Sequence, residues 1–123
     1  MFRRLQKGGI VIITKVSEIK VDDLINYLRL SNVTEEDKKY LGTIIKVSID
    51  YIKNNTGLSD SELDKYTDLI IVVYVLCQDM YDTRAYYVDN NNVNKVVQSI
   101  LDMHSRNLIS WVILLKMQEN TIN

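Results

Sequence analysis

The sequence predicts an all-α domain, because polar-capped segments with apolar residues at helical spacing follow one another along most of the chain. Proline is absent from the 123 residues, so no helix interior is interrupted by a residue that lacks a backbone N–H. Apolar residues make up 46% and charged residues 25%, a balance typical of a folded core. We therefore expect a small bundle of about four helices with extended N- and C-terminal arms.

The first two predicted helices are marked by their ends. The first runs from Val21 to about Arg29, and its apolar residues recur three and four positions apart at Val21, Leu24, Ile25 and Leu28. The second follows Thr34, an N-cap residue succeeded by three acidic residues that favour a helix N-terminus. It runs to about Asn54 and ends before Gly57, which suits the position after a helix C-terminus.

The third predicted helix is unusually apolar. Ser59 and Glu62 form a capping box, and the helix is expected to continue without a break to between Tyr81 and Arg84. Its centre, residues 69–77, is apolar on every side. Nine such residues could form a buried strand, but the flanking segments continue without a turn signal and favour a helix. Because such a helix must be buried all round, we expect neighbouring subunits to cover part of it.

A polar loop at residues 89–92 precedes a fourth predicted helix, which runs from Val93 to near Arg106. The segment 108–117 is strongly apolar and could be a strand, a fifth helix or an arm. We divide the chain into an N-terminal arm at 1–16, a helical domain at 17–106 and an apolar C-terminal tail at 107–123. Within the N-terminal arm, residues 10–14 are β-branched and could form a short strand.

Composition and charge exclude several classes of protein. The net charge of −1 makes tight, purely electrostatic binding to nucleic acid improbable. The longest apolar run has nine residues, whereas a membrane span needs about 20, so we expect a soluble chain made in the cytoplasm. One cysteine and one histidine are too few for a disulfide framework or a histidine- or cysteine-rich metal site. We expect no metal and no cofactor.

Cys77 and His104 are the candidates for nucleophilic chemistry. Cys77 lies inside the apolar third helix, where a small buried hydrophobic residue is the usual interpretation, and no cationic group adjoins it in the sequence. His104 lies on a helix flank and is expected to be a partly exposed packing residue. A thiol or acid–base enzyme is therefore the least favoured class of function, and we expect a protein that is not an enzyme.

Two pairs of carboxylates lie at helical spacing in the third predicted helix. Asp64 and Asp68 fall early in the helix and are interpreted as solvated residues favoured by the helix dipole. Asp79 and Asp82 lie near its end, close to Arg84. We expect these three residues to form an ion-pair cluster within the chain or with a neighbouring subunit.

The apolar tail carries the strongest compositional indication of an interface. It contains Trp111, the only tryptophan, followed by Ile113, Leu114 and Leu115. This segment could simply pack on its own domain. Alternatively it anchors the chain to another protein, because aromatic and aliphatic clusters contribute much of the binding energy at interfaces.

The order of these elements resembles the head–tail connector (adaptor) family of long-tailed bacteriophages. The resemblance covers about Val16 to Arg106. It depends on five features in order: the end of a short helix at 27–30, an acidic helix start at 35–37, and a helix end with threonine and glycine at 51–57, followed by a Tyr-x-x-Arg arrangement at 81–84 and a final helix at 100–106. Residues 1–15 and 107–123 depart from the family pattern.

The resemblance implies a structural phage protein without catalysis or cofactor. Family members form a homo-oligomeric ring, expected here to be a dodecamer, between the portal protein and the head-closure (stopper) or tail protein. Double-stranded DNA passes through the ring without sequence recognition. The chain would then lie in the neck of the virion, at the head–tail interface, after assembly in the host cytoplasm. The alternative is a small helical DNA-binding or packaging-associated phage protein, which would need a basic face.

Overall fold

The computed structural model describes residues 12–105 and 115–118, and all regular secondary structure in these ranges is helical. Five α-helices are formed: α1 at Val21–Leu28, α2 at Glu35–Thr56, α3 at Asp60–Leu63, α4 at Asp68–Thr83 and α5 at Lys95–Met103. Short 3₁₀ segments occur at Val16–Glu18 and Asn90–Asn92, and residues 115–118 are helical and exposed. The predicted all-α class is confirmed.

Among the described elements, α2 and α4 make the most extensive contact. The inner face of α4 is buried against α2 and its flanking helices, and it includes the fully buried Leu69, Val72 and Val73. A side-chain polar contact also lies inside this apolar interface. The Ser48 hydroxyl and the Cys77 thiol are 3.3 Å apart, and the thiol also donates to the Ile44 carbonyl at 3.6 Å. These hydrogen bonds join α2 to α4 within the core.

Helices α1 and α5 pack along the two edges of α4, and both also contact α2. On the α1 edge, the rings of Tyr27 and Tyr74 stack with centroids 4.6 Å apart. On the α5 edge, His104 at the end of α5 contacts Asp68 at the start of α4. The apolar face of α5 is buried at Val97 and Leu101.

The helix ends confirm the capping chemistry that the sequence predicts. The Thr34 hydroxyl accepts from the Asp37 N–H, and the Asp37 carboxylate accepts from the Thr34 N–H, each at 3.1 Å. An aspartate therefore completes a capping box in which glutamate is more usual. Helix α2 ends at Gly57, whose φ of 75° is the left-handed conformation that glycine adopts without steric cost.

The prediction of one unbroken third helix is wrong. The capping box of Ser59 and Glu62 forms, but α3 stops after one turn and α4 begins at Asp68. The break occurs where Asp64 accepts hydrogen bonds from the N–H and the hydroxyl of Ser17, at 2.9 and 2.8 Å. Between α3 and α4 the backbone N–H groups donate to carbonyls three residues back instead of four, so the α-helical hydrogen-bond pattern stops there.

Both ends of the helical domain differ in detail from the prediction. Helix α5 begins two residues after Val93 and ends at Met103, before Arg106. Val16, the last residue of the predicted arm, is buried in the core, and residues 12–14 form no regular structure. In the ranges that the structure describes, no helix has both the length and the hydropathy required to span a membrane.

Leu76→Ala tests the central packing. Leu76 is 2% exposed on the inner face of α4. We expect the substitution to lower the free energy of unfolding by about 2–5 kcal/mol, because it removes buried methyl groups and leaves a cavity. Urea denaturation measures the loss. Val96→Ala on the exposed side of α5 is the control and should change stability by less than about 1 kcal/mol. Equal losses in the two variants would contradict this account.

Candidate functional site

The outer face of α4 remains apolar and open to solvent. Ile71 is 59% exposed at its centre, Val75 is half-buried beside it, and the stacked Tyr27 and Tyr74 lie along one side. We call these four residues the outer face. A helix that is apolar all round requires cover on every side, and here α1 and α5 cover only the edges. The outer face is therefore the apolar part of α4 that the described chain leaves incompletely covered.

A second exposed apolar surface lies on α5. Val96 and Met103, one helical repeat of seven residues apart, are 66% and 68% exposed. Their helix buries its opposite side against α4 and α2. The two exposed surfaces thus belong to different helices that pack against each other. The outer face lies on α4 beside α1, and the surface formed by Val96 and Met103 lies on α5.

Arg84 lies immediately after α4, and its partners are aromatic. Its guanidinium carbon is 4.5 Å from the centre of the Tyr81 ring and 5.6 Å from that of Tyr40, and Nη2 donates to the Tyr81 hydroxyl at 3.5 Å. Among the described residues, no carboxylate lies within ion-pair distance of Arg84. The structure therefore gives Arg84 cation–π partners in place of the predicted Asp79 and Asp82. Pairing of Arg84 with a neighbouring subunit stays a prediction.

Tyr40, on α2, makes hydrogen bonds to the backbone at the carboxyl-terminal end of α4. Its hydroxyl lies 2.9 Å from the Met80 carbonyl oxygen and 2.7 Å from the Ala85 carbonyl oxygen, so one proton is shared between two acceptors. Its ring meets that of Tyr86 edge-on, with centroids 5.0 Å apart. Burial raises the pKa of the Tyr40 phenol, whereas the positive charge of Arg84 acts in the opposite direction. Tyr40 thereby links α2 to the turn that ends α4.

Asp79 and Asp82 lie on the wall of a cavity of about 340 Å³ between the end of α4 and the following loop. Asp89 contributes a third carboxylate from the loop, and Tyr87, which is 67% exposed, lines the cavity with them. Partial burial, and secondarily the neighbouring Asp82 carboxylate, raise the pKa of Asp79. The cavity is therefore acidic.

The inner surface of the same cavity is apolar. Side chains of Leu76 and Met80 from α4 meet Val88 and Val93 from the loop. The Asp89 carboxylate also accepts from the Asn91 N–H at 3.0 Å, which holds the loop in its 3₁₀ turn. A groove that is apolar inside and acidic along its wall suits a ligand with aliphatic and cationic groups.

Cys77 has the surroundings of a core residue. It is fully buried, and its polar neighbours are the Ser48 hydroxyl and the Ile44 carbonyl. Burial raises the pKa of its thiol to about 11. At neutral pH the sulfur is therefore protonated, and the thiolate that nucleophilic chemistry needs is scarce.

His104 is paired with a carboxylate that sequence reasoning assigned to solvent. Its Nε2 lies 2.9 and 3.0 Å from the two oxygens of Asp68, and its ring stacks on Tyr66 with centroids 4.2 Å apart. Asp64, the other supposed solvent carboxylate, binds Ser17. These partners lie 36 and 47 residues apart in the chain, so no local signal indicates them. Among the described residues, no group of three or more acidic, histidine or cysteine side chains is arranged to hold a metal ion.

The tail residues are described only in part. Leu115 is helical and 39% exposed. Trp111, Ile113 and Leu114 lie outside the described residues, so their role as an anchor stays a prediction.

Tyr40→Phe tests the link between α2 and the end of α4. The substitution removes the proton shared by the Met80 and Ala85 carbonyls, and we expect a loss of about 1–3 kcal/mol in the free energy of unfolding. Urea denaturation followed by circular dichroism measures it. Tyr87→Phe is the matched control, because the Tyr87 side chain is largely exposed, and it should leave stability within about 0.5 kcal/mol of wild type. Equal stability of the Tyr40 variant and the wild type would contradict the assignment.

Asp79→Asn tests the electrostatics of the cavity wall. Because the pKa of Asp79 is raised on folding, the folded state holds this proton more firmly than the unfolded chain does. The resulting stability is present below the ordinary carboxyl pKa and is lost as pH rises through the raised value. We therefore expect the asparagine variant to be more stable than wild type near pH 7 and equally stable near pH 3.

Urea midpoints at the two pH values measure this difference. Asp50→Asn, at an exposed position on α2, controls for the loss of one negative charge. A gain of the same size at both pH values would show that packing of the amide, rather than the carboxyl charge, is responsible. No gain near pH 7 would contradict the assigned electrostatics.

Comparisons with protein-family models, with curated proteins and with solved structures find no match for this chain. Among the described residues, the candidate surfaces are the outer face of α4, the exposed side of α5 and the acidic cavity.

Proposed function

We propose that this chain is a structural component of a phage head–tail junction, and that it forms a connector ring between the portal and the head-closure or tail proteins. The observation that carries the proposal is the outer face of α4. The described residues leave this face of an apolar helix uncovered, in a domain whose element order resembles that of connector proteins. The ring, its expected twelve-fold symmetry and its virion location are parts of the same proposal.

An uncovered apolar helix favours association. Burial of apolar area contributes roughly 25 cal/mol per Å², and Ile71 together with the Tyr27–Tyr74 pair is available for such burial. Tyrosine is also enriched among residues that dominate binding energy at interfaces. These side chains are therefore suited to be the centre of a subunit contact.

A closed ring requires two different surfaces on each subunit. In a head-to-tail contact, one patch of each subunit binds a second, distinct patch of the next. The outer face of α4 and the exposed Val96 and Met103 of α5 offer two such patches. We assign them to the two sides of the ring contact, with the apolar tail around Trp111 and Leu115 reaching the portal or a neighbour.

The charge distribution supports a channel through which DNA slides. Residues 12–105 contain ten lysines and arginines against fifteen aspartates and glutamates. An acidic domain makes few of the phosphate contacts that hold DNA in place, so duplex DNA can pass without being retained. The same balance weighs against the alternative of a small DNA-binding or packaging-associated protein, which would need a basic face.

The direct test is assembly with the portal protein. Light scattering measures the mass of the chain alone and mixed with its portal, and electron microscopy of the complex reports its shape. We expect a ring stacked coaxially on the portal. A folded chain that ignores a correctly assembled portal, and that binds duplex DNA tightly in a salt-sensitive manner, would instead support the DNA-binding alternative.

Ile71→Asp tests the assigned surface. A charge at the centre of the outer face should weaken assembly on the portal by at least about tenfold, because it would be buried without a partner. The stability of the monomer should stay within about 0.5 kcal/mol, because the residue is exposed. Thr43→Asp, at an exposed position of α2, is the matched control and should assemble normally. Unchanged assembly of the Ile71 variant would show that the outer face of α4 is not part of the interface.

A further inference from the structure

The cavity at the end of α4 combines a shape and a charge that are complementary to one segment of the same chain. Its inner surface is aliphatic, and its wall carries the carboxylates of Asp79, Asp82 and Asp89. Among the described residues, no lysine or arginine lines it. The side chain that suits such a cavity has an aliphatic stem and a cationic end.

The first seven residues supply this chemistry. They contain Arg3, Arg4 and Lys7 and no acidic residue, with Phe2 and Leu5 interleaved. Residues 12–105, by contrast, carry five more acidic than basic side chains. The positive charge outside the helical domain is thus concentrated in the N-terminal segment. The tail at 106–123 has two basic residues against one acidic residue and fits the cavity less well.

We propose that residues 1–7 dock in the acidic cavity of their own chain, with the arginine side chains against Asp79, Asp82 and Asp89. The proposal is independent of the proposed function, because the contact lies within one chain. Docking would place a cation between Asp79 and Asp82, so the stability gain of Asp79→Asn near pH 7 is expected in full only in a chain that also carries Arg3→Glu and Arg4→Glu. Docking would also cover the aliphatic inner surface with Phe2 or Leu5.

The length of the chain permits this contact. Ser17 is held at the turn before α4 by its two hydrogen bonds to Asp64. Helix α4 rises about 22 Å from Asp68 to Thr83, at 1.5 Å per residue. Thr14 is held beside this contact by the hydrogen bond from its N–H to the Glu18 carboxylate. The ten residue steps from Thr14 to Arg4 span up to about 33 Å when extended. The segment can therefore reach the cavity, and tethering to the same chain favours this occupant over a segment from another molecule.

Disulfide trapping in the full chain tests the proposal. Gln6→Cys places a thiol in the segment without removing a charge, and Thr83→Cys places one on the cavity wall with all three aspartates intact. Gln78→Cys is the matched control, because Gln78 is exposed on α4 only five residues away and does not line the cavity. Cys77 does not interfere, since it is fully buried and its thiol is protonated.

We expect the pair at positions 6 and 83 to oxidise within one chain about tenfold faster than the pair at 6 and 78. Arg3→Glu combined with Arg4→Glu should reduce the faster rate to that of the control. Adding Asp79→Lys and Asp82→Lys to those reversals should restore it. Rising salt should slow the reaction, as for any contact between opposite charges near a surface.

Three results would overturn the proposal. Equal rates for the two cysteine pairs would show that the segment samples α4 without preference. A fast reaction that persists after charge reversal would show that the aspartates do not attract the arginines. Disulfides that join two chains instead of closing within one would assign the segment to a neighbouring molecule.

Discussion

Burial of the apolar segment of α4 against α2 is the constraint on which the rest of the molecule depends. Residues 69–77 place an apolar or weakly polar side chain at every position of two and a half turns. Only one face of a helix can lie against a single neighbour, and on α4 that face carries Leu69, Val72 and Val73 together with the Ser48–Cys77 contact. Helices α1 and α5 then cover part of the α4 surface that α2 leaves open.

This coverage is unequal around α4. Tyr27 from α1 closes one edge by stacking on Tyr74, and His104 from α5 closes the other by binding Asp68. Between these edges Ile71 is left exposed. The helices of the described residues are too few to surround an apolar helix completely, and the proposed subunit contact would supply the missing cover. This is the physical basis for placing the subunit contact at the outer face.

The prediction from sequence succeeded where the structure depends on local chemistry. Capping by Thr34 and Asp37, termination at Gly57 and the apolar spacing of α1 all involve residues within one or two turns of each other. The unbroken third helix was wrong, and the turn that interrupts it is bound by Ser17, which lies 47 residues from Asp64. No pattern near either residue indicates that contact.

The candidate site was predicted only in outline. Asp79, Asp82 and Arg84 do lie at the same end of α4, as their spacing indicates. Sequence spacing alone suggested that they would pair. Arg84, however, follows the helix in a left-handed conformation with φ of 56°, and its guanidinium lies over the Tyr81 ring. The aspartates are consequently left to line a cavity instead of neutralising the arginine.

The cavity itself is a consequence of how α4 ends. The Ala85 N–H donates to the Met80 carbonyl at 2.9 Å, which reverses the chain direction at Arg84. A left-handed arginine costs roughly 1 kcal/mol or more, and the contacts of Tyr40 with Met80 and Ala85 offset that cost. The loop that follows then turns back and supplies Val88 and Asp89 to the cavity wall. Tyr40 lies outside the cavity but determines its shape, so a change at this buried tyrosine would alter an acidic surface that it does not touch.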